Sequence, residues 1–496
     1  MKIAVVGSGI GGLAVAIRLA NRGHNVTVFE KNPIPGGKIS EIRAEGFRFD
    51  TGPSFLSMPE YVENLFKDSK AGTEIFLKYS KLDVNCKYIL PNGKIFKHYS
   101  DQKKLKDDIK RTSPEPFENI ERRITETSSL HNLALNALAK NDGSKPGKLF
   151  SSDYNKLFLK SFKYLSKSLH KINEGAFIDK DIAKVFDTFN IFNGVDPYGK
   201  SSVLDLASYT QFGSQRYFIQ GGFYNLINAL MALAKEKRVV FRLNTPVEKI
   251  IIENESATGV LVKGAPVHFD AVVSNADILY SSAKLFKNPE AINLKNRELT
   301  HSALVFMWGV KRISPKLDSY NVILGGNTEK EYELLFGRKI ISSDPVISIY
   351  ISSKLNKSDA PSSCENWQVR INAPVNSDQD WNTQISQSRI LILKRIYEAY
   401  GIDLKKDIIF EKICTPVNLE RDYNCYKGSI HGAHPEKLMA PFSEHPNKSA
   451  HIKNLYFTGA TVNPGGNIPM ALLSAEIADN IIQKEHPAIL IEPTLF

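Results

Sequence analysis

The glycines at positions 7, 9 and 12, in "GSGIGG", have the type and spacing needed to hold a diphosphate. Gly7 permits a tight turn, Gly9 lets the backbone come close to the anion, and Gly12 lets a helix pack tightly on a strand. Glu30 ends the next apolar run, where a carboxylate can accept hydrogen bonds from ribose hydroxyls and repel a 2′-phosphate. Gly36-Gly37-Lys38 then sets exposed backbone donors beside one ammonium, a pairing suited to an anion. Nearly the whole chain later, "TGATVNPGGNIP" (458–469) forms a second glycine-proline loop running into a helix. Proline is tolerated in a first helical turn, and the N–H groups of that turn carry partial positive charge.

The elements around these residues give the first motif its weight. "KIAVVG" is a short β-type run, "LAVAIRLANRG" places Leu13, Ala16, Ile17 and Ala20 at helical spacing with Gly23 as a stop, and "NVTVFE" is a second strand. Strand, glycine turn, helix, strand and terminal acid together make a dinucleotide-binding unit. Residues 100–180 are Lys- and Ser-rich and mostly helical. From about 238, "RVVFRLNTPVEKIIIE", "ATGVLVKG" and "FDAVVSNA" read as consecutive strands, 300–375 mix strands and turns, and "NLYFTGA" with "PMALLSAEIADNIIQ" ends the chain as strand and helix. Nucleotide-type pieces thus occur at both ends and in the middle, with insertions between them. The expected α/β organisation is interleaved: 1–75, 206–285 and 446–496 build a Rossmann-type domain, 76–205 a helical and mixed insertion that associates with substrate and membrane, and 286–445 a substrate domain.

The stretch "EKNPIPGGKISEIRAEGFRFDTGPS" resembles the amine-oxidase and carotenoid-desaturase flavoproteins, and the resemblance selects FAD over NAD. It implies that Glu30, Lys31, Gly36, Gly37 and Lys38 meet the dinucleotide and that Gly52, Pro53, Ser54 and Phe55 line the flavin. It implies that Val247, in "NTPVEKIIIE", offers backbone to the adenine, and that Asn275, in "VVSNAD", marks re-entry into the FAD domain. Gly459, Gly466, Asn467, Ile468 and Pro469 would hold the reactive ring, with the helix N-terminus favouring the negative charge of reduced flavin. One cofactor would then need both loops. The whole chain is similar to bacterial carotenoid desaturases of the phytoene-desaturase type, carried also by "YFIQGGFYNLINAL", "ISSKLNKSDAPSSCENWQVRINAP" and "YKGSIHG". Within that family it leans towards hydroxycarotenoid 3,4-desaturases, although these residues do not separate that step from phytoene desaturation, oxygenation or isomerisation. Many members carry His-Pro-Gly where this chain has Asn463-Pro464-Gly465, and asparagine cannot relay a proton near neutral pH, so Asn463 receives no catalytic role.

The resemblance implies hydride transfer from an allylic C–H to FAD, after which the neighbouring C–H is acidic enough for a weak base. No Ser-His-Asp or twin-carboxylate set is required, and the catalytic residues stay unassigned; His431, His434, Asp422 and Arg421 are candidates by sequence proximity alone. The electron acceptor, oxygen or quinone, is left open. A flavin amine oxidase would need an aromatic pair at the ring, and a non-enzymatic isoprenoid carrier would not need Glu30 or the glycine loops.

Composition bounds the partners. In 496 residues the net charge is +11, without a zinc, RNA-binding or basic-zipper pattern, so nucleic acid is not expected and an anionic membrane surface is. Cys86, Cys364, Cys414 and Cys425 are too scattered for a disulfide scaffold or a CxxC metal site, and the start resembles neither a secretory signal nor a transit peptide. The expected location is cytoplasmic and peripheral to the membrane. There "NKLFLKSFKYLSKSLHKI" could lay Phe158, Phe162, Leu165 and Leu169, with Leu157 beside them, on lipid between Lys156, Lys160, Lys163 and Lys167, or pack the same stripe on the protein's own core.

Overall fold

A computed structural model describes residues 1–139, 155–156, 159–160, 167–192, 196–199, 212–286, 298–433 and 445–487. Two sheets position the site. The first is five-stranded and parallel, in the order Val240–Arg242, Asn25–Phe29, Lys2–Val6, Ala271–Ser274, Leu455–Phe457. Its strands come from the start, middle and end of the chain. Parallel strands buried on both faces read as continuous apolar runs, and Ile3 to Val5 and Val272 to Val273 are fully buried.

The helix Ile10–Asn21 packs beside the last helix, Ile468–Glu485, with Leu13, Ile17, Leu472, Ala475 and Ile482 in one core. Arg22 bridges them, its guanidinium donating to Asp479 at 2.9–3.1 Å, and Arg18 reaches Glu476 at 3.0 Å and Asp68 at 2.8 Å. The buried Asp479 carboxylate raises the Arg22 pKa, through hydrogen bonding first.

The second sheet has seven strands, in the order Ile408–Cys414, Ser302–Val310, Glu365–Ala373, Ile347–Tyr350, Tyr320–Ile323, Val84–Ile89, Ile95–Tyr99. The strands at 84–99 therefore complete the sheet built by 302–414. Alternation along each strand divides the residues between two faces. Leu304, Phe306, Trp308, Trp367, Val369, Ile371, Ile347 and Ile349 pack under the helix Trp381–Tyr400, against its Ile392, Leu393 and Ile396. Truncating either fully buried tryptophan, Trp308 or Trp367, would cost about 3–5 kcal/mol. The alternate residues Ala303, Val305, Met307, Gln368, Arg370, Ser348, Tyr350 and Tyr320 turn the other way, into a cavity.

The segments carrying the family resemblance in mid-chain meet at one buried ion cluster. Arg48, in the hairpin Glu41–Ala44/Phe47–Asp50, donates to Asp50 at 2.8 and 3.1 Å and to Asp359 at 2.7 Å through both Nε and Nη2. Asp50 accepts the Phe223 N–H at 2.9 Å, Asp359 accepts from Asn356 at 2.6 Å and from Ser352, and Asn366 donates to the Arg48 carbonyl. "YFIQGGFYNL" and "ISSKLNKSDAPSSCENW" thus brace the strand leading into "DTGPS". Gly222 adopts φ +104°, and a Cβ there would lie 2.1 Å from Arg48 Nη1.

Of the Lys-flanked stripe, Leu157, Phe158, Phe162, Lys163 and Leu165 lie outside the described residues, as does His434. Leu169 is buried, whereas Leu159 is 72% exposed. No described helix is long and apolar enough to cross a membrane.

Candidate functional site

A cavity of about 480 Å³ runs between the two sheets. Every residue assigned from sequence lines it except Gly12: Gly7, Gly9, Glu30, Lys31, Gly36, Gly37, Lys38, Gly52 to Phe55, Val247, Asn275, Gly459 and Gly466 to Pro469. Gly12 sits behind the wall. A Cβ on it would fall 2.1 Å from the Gly7 carbonyl, so it sets the helix–turn approach.

Asn275 joins the two glycine loops. Its backbone N–H donates to the Val6 carbonyl at 2.8 Å, which places its side chain over the turn. Cβ atoms added at Gly9, Gly11 and Gly459 would fall 2.6–2.8 Å from the Asn275 amide, so the first and last loops close around one side chain. The Gly36 N–H donates to the Ser8 carbonyl at 2.9 Å, bringing the paired glycines to the same turn. The first helix has Gly9 as its N-cap with no side-chain cap, which leaves the first-turn N–H groups to a ligand. The last helix begins at Asn467, whose side chain accepts from the Met470 N–H at 3.4 Å. Two helix N-termini thus open onto one cavity.

Glu30 is buried and preorganised: its carboxylate accepts the Ser8 N–H at 2.9 Å, the Ser8 hydroxyl at 2.8 Å and the Asn32 N–H at 2.9 Å. Lys31 lines the cavity, but its ammonium donates to the Arg421 carbonyl at 2.9 Å and to Asn424 at 2.7 Å, and burial lowers its pKa. Lys38 donates to the Ile430 carbonyl. Near it Asp277 caps its own helix through the Leu279 and Tyr280 N–H groups, and burial raises its pKa.

The other end has a different character. Phe55, Tyr320 and Tyr350 form an edge-to-face cluster, Phe55 lying 4.8 and 5.6 Å from the two tyrosines. The Arg216 guanidinium lies 4.9 Å from the Phe55 ring centre and 5.6 Å from that of Tyr320, and donates to the Asn85 carbonyl at 2.9 Å. Arg370 flanks the same Tyr320, whose hydroxyl is pushed up to about 12 by burial. Among the described residues the lining carboxylates are Glu30 and Asp277, both at the dinucleotide end.

The structure does not gather the proposed proton carriers. His431 lines the cavity, whereas Arg421 and Asp422 pair with each other on the exterior at 2.6 and 2.9 Å. Asn463 is buried outside the cavity lining; its amide donates to Asn447 at 3.0 Å, and Asn447 in turn binds the Asn463 carbonyl at 2.9 Å and Ser474 at 2.9 Å. Asn463 therefore ties the closing loop down. Motif spacing does not bring out Gly11, Arg216, Tyr320, Gln368 or Arg370. The signal available for the last two was the polar alternation Asn366, Gln368, Arg370, Asn372 along one face of the strand "ENWQVRINA".

These features define a dinucleotide-binding α/β fold with a second sheet closing over the cavity, and comparison with known proteins names its class. The model of the flavin-containing amine oxidoreductases matches residues 10–479. A Flavobacterium 1-hydroxycarotenoid 3,4-desaturase is 32% identical over 97% of this chain and 99% of its own length. A Staphylococcus haemolyticus 4,4'-diaponeurosporene oxygenase is 29% identical over 97% of each. Among solved structures, cyclohexylamine oxidase from Brevibacterium oxydans superposes with a TM-score of 0.63 over 98% of this chain and 99% of that one, at 16% identity, and an oxidoreductase from Methanosarcina mazei with 0.61 over 96% and 99%, also at 16%. The chain belongs to the flavin-containing amine oxidoreductase family, among its carotenoid desaturase and oxygenase members. It is an FAD oxidoreductase. The cavity fits that cofactor: a cradle of glycines that added Cβ atoms would fill, two helix N-termini, and a preset carboxylate.

Proposed function

We propose that this enzyme desaturates a carotenoid, and that its step is 3,4-desaturation of a hydroxylated or monocyclic one. The observation that carries the reading is the character of the sheet-side end: Ala303, Val305, Met307 and three aromatic rings, with two guanidiniums and, among the described residues, no lining carboxylate. An amine substrate arrives as an ammonium ion. Arg216 already covers the faces of Phe55 and Tyr320, so the aromatic cluster cannot serve as a cage for a second cation. A neutral polyene meets no such repulsion and gains by burying apolar surface.

The residues divide the work by position. Gly7, Gly9, Gly37 and the first helix N-terminus would hold the diphosphate, Glu30 the ribose, and Val247 the adenine edge. Gly52 to Phe55 and Gly459 with Gly466 to Pro469 would hold the ring, with the last helix favouring negative charge beside it. When bound, FAD accepts the hydride. The second sheet excludes water and lays the polyene along the cavity. Among the described residues no lining carboxylate stands at that end, so the remaining hydrogen would leave as a proton to a weak base.

The protein would meet its substrate at a membrane surface. Its charge of +11 and the exposed Leu159, flanked by exposed Lys156 and Lys160, support that placement. The deciding experiment is anaerobic single turnover of FAD-loaded protein with defined carotenoids. Loss of the yellow flavin band together with a red-shifted polyene spectrum is the expected result. A flavin that bleaches with small amines and with no acyclic or monocyclic carotenoid would overturn the reading.

A further inference from the structure

We propose that Arg370 and Gln368 form the docking point for an oxygen substituent on the polyene, and so set which carotenoid is accepted and which bond is presented; this rests on the carotenoid reading above. Both residues stand on the strand Glu365–Ala373, on the face that lines the cavity, opposite Val305 and Met307 of the neighbouring strand. As i, i+2 neighbours they are about 6–7 Å apart along the strand, a span that two long side chains can close on one oxygen.

Both side chains have unused hydrogen-bonding capacity. Arg370 Nη2 and Gln368 Oε1 are buried and have no hydrogen-bond partner among the described residues. A buried donor or acceptor left unmatched is unfavourable, and an unpaired guanidinium more so. Burial lowers the Arg370 pKa, and the only group opposing that shift is the Tyr320 phenol, not a carboxylate.

The chemistry selects the ligand. Arg370 offers a donor and Gln368 an acceptor, and a hydroxyl is both: it accepts from the guanidinium and donates to the amide oxygen. A carbonyl satisfies Arg370 alone. An unsubstituted hydrocarbon end satisfies neither and leaves both buried, which is how a site built around hydrogen bonds rejects the analogue lacking them. The Flavobacterium relative is named for a substrate with oxygen on carbon 1 and a reaction at carbons 3 and 4. Oxygen held three bonds from the nearer reacting carbon would fix the position of that carbon in the cavity.

The test uses full-length, FAD-loaded protein in detergent micelles, with binding read from perturbation of the flavin spectrum. The ligands are a 1-hydroxylated acyclic carotenoid, its keto counterpart and the parent hydrocarbon. The unaltered protein is expected to bind the hydroxylated ligand roughly 10- to 100-fold more tightly than the hydrocarbon. Arg370→Met should remove the preference for both oxygenated ligands. Gln368→Leu should remove only the extra preference for the hydroxyl over the keto group. Unchanged flavin absorbance and melting temperature show that each variant is folded and loaded. Variants that keep the parent ratios overturn the proposal, as does an Arg370→Met protein that loses FAD affinity while keeping the preference, since the guanidinium would then serve the cofactor. If the unaltered enzyme desaturates carotenoids without regard to oxygen, the proposal fails and the desaturase reading stands. If it binds no carotenoid, both fail.

Discussion

At the scale of single residues, Glu30 and Gly222 play opposite kinds of role. Glu30 is a ligand held ready: Ser8 and Asn32 fix its carboxylate before any ribose arrives. Glu30→Ala is expected to weaken FAD roughly 10- to 100-fold, the range for hydrogen bonds to a charged group, measured by flavin fluorescence on titrating apoprotein. An unchanged dissociation constant would remove Glu30 from the site. Gly222 touches no ligand; at φ +104° it leaves room for Arg48 between Asp50 and Asp359. Gly222→Ala should destabilise the fold by about 3–5 kcal/mol, as splitting a buried ion pair does, seen as a lower urea midpoint. Gly175→Ala is the control: it lies in the helix Leu169–Ala176, where an added Cβ meets nothing, and should be neutral or stabilising by up to about 1 kcal/mol.

At the scale of elements, the second sheet carries a pH-dependent weakness on its margin. Glu331, in the short helix Thr328–Tyr332, is fully buried, accepting from Asn372 at 2.9 Å and from the Val346 N–H at 3.1 Å. Burial outweighs those bonds and pushes its pKa up to about 7 from 4.5. The sign follows from linkage: a raised carboxylate pKa means the fold prefers the neutral acid, so this stabilisation is complete below about pH 4.5 and is lost as pH rises through about 7. The shift corresponds to about 2–4 kcal/mol. Glu331→Gln, which mimics the neutral form, should flatten the melting temperature over that window and match or exceed the parent at pH 8. A variant with the parent's slope would show that other groups carry the titration.

At the scale of the whole molecule, one cavity draws on the first, middle and last parts of the chain, so cofactor binding and folding are coupled. FAD at 100 times its dissociation constant should add about 2.7 kcal/mol, raising the melting temperature of apoprotein and protecting both chain ends from protease together. Protection confined to one end would contradict the shared cavity. The charge of +11 makes a second prediction: the protein should co-sediment with phosphatidylserine vesicles, not with neutral ones, and release in 1 M salt, where the screening length is about 3 Å.

By itself the sequence determined the dinucleotide unit and both glycine loops, because those depend on local geometry: a turn that only glycine makes, a helix N-terminus, an acid one strand away. The alternating strands at 240–274 and the closing strand and helix were readable for the same reason. Tertiary structure alone decided what depends on residues distant in sequence. It showed that Asn275 closes both loops, that Asn463 turns away from the cavity towards Asn447, and that Arg421 and Asp422 stand apart from His431. It joined 84–99 to the sheet of 302–414 and brought Arg216 and Arg370 to the same Tyr320. No local period encodes those meetings, because strand pairing and buried charge are settled by which surfaces exclude water together.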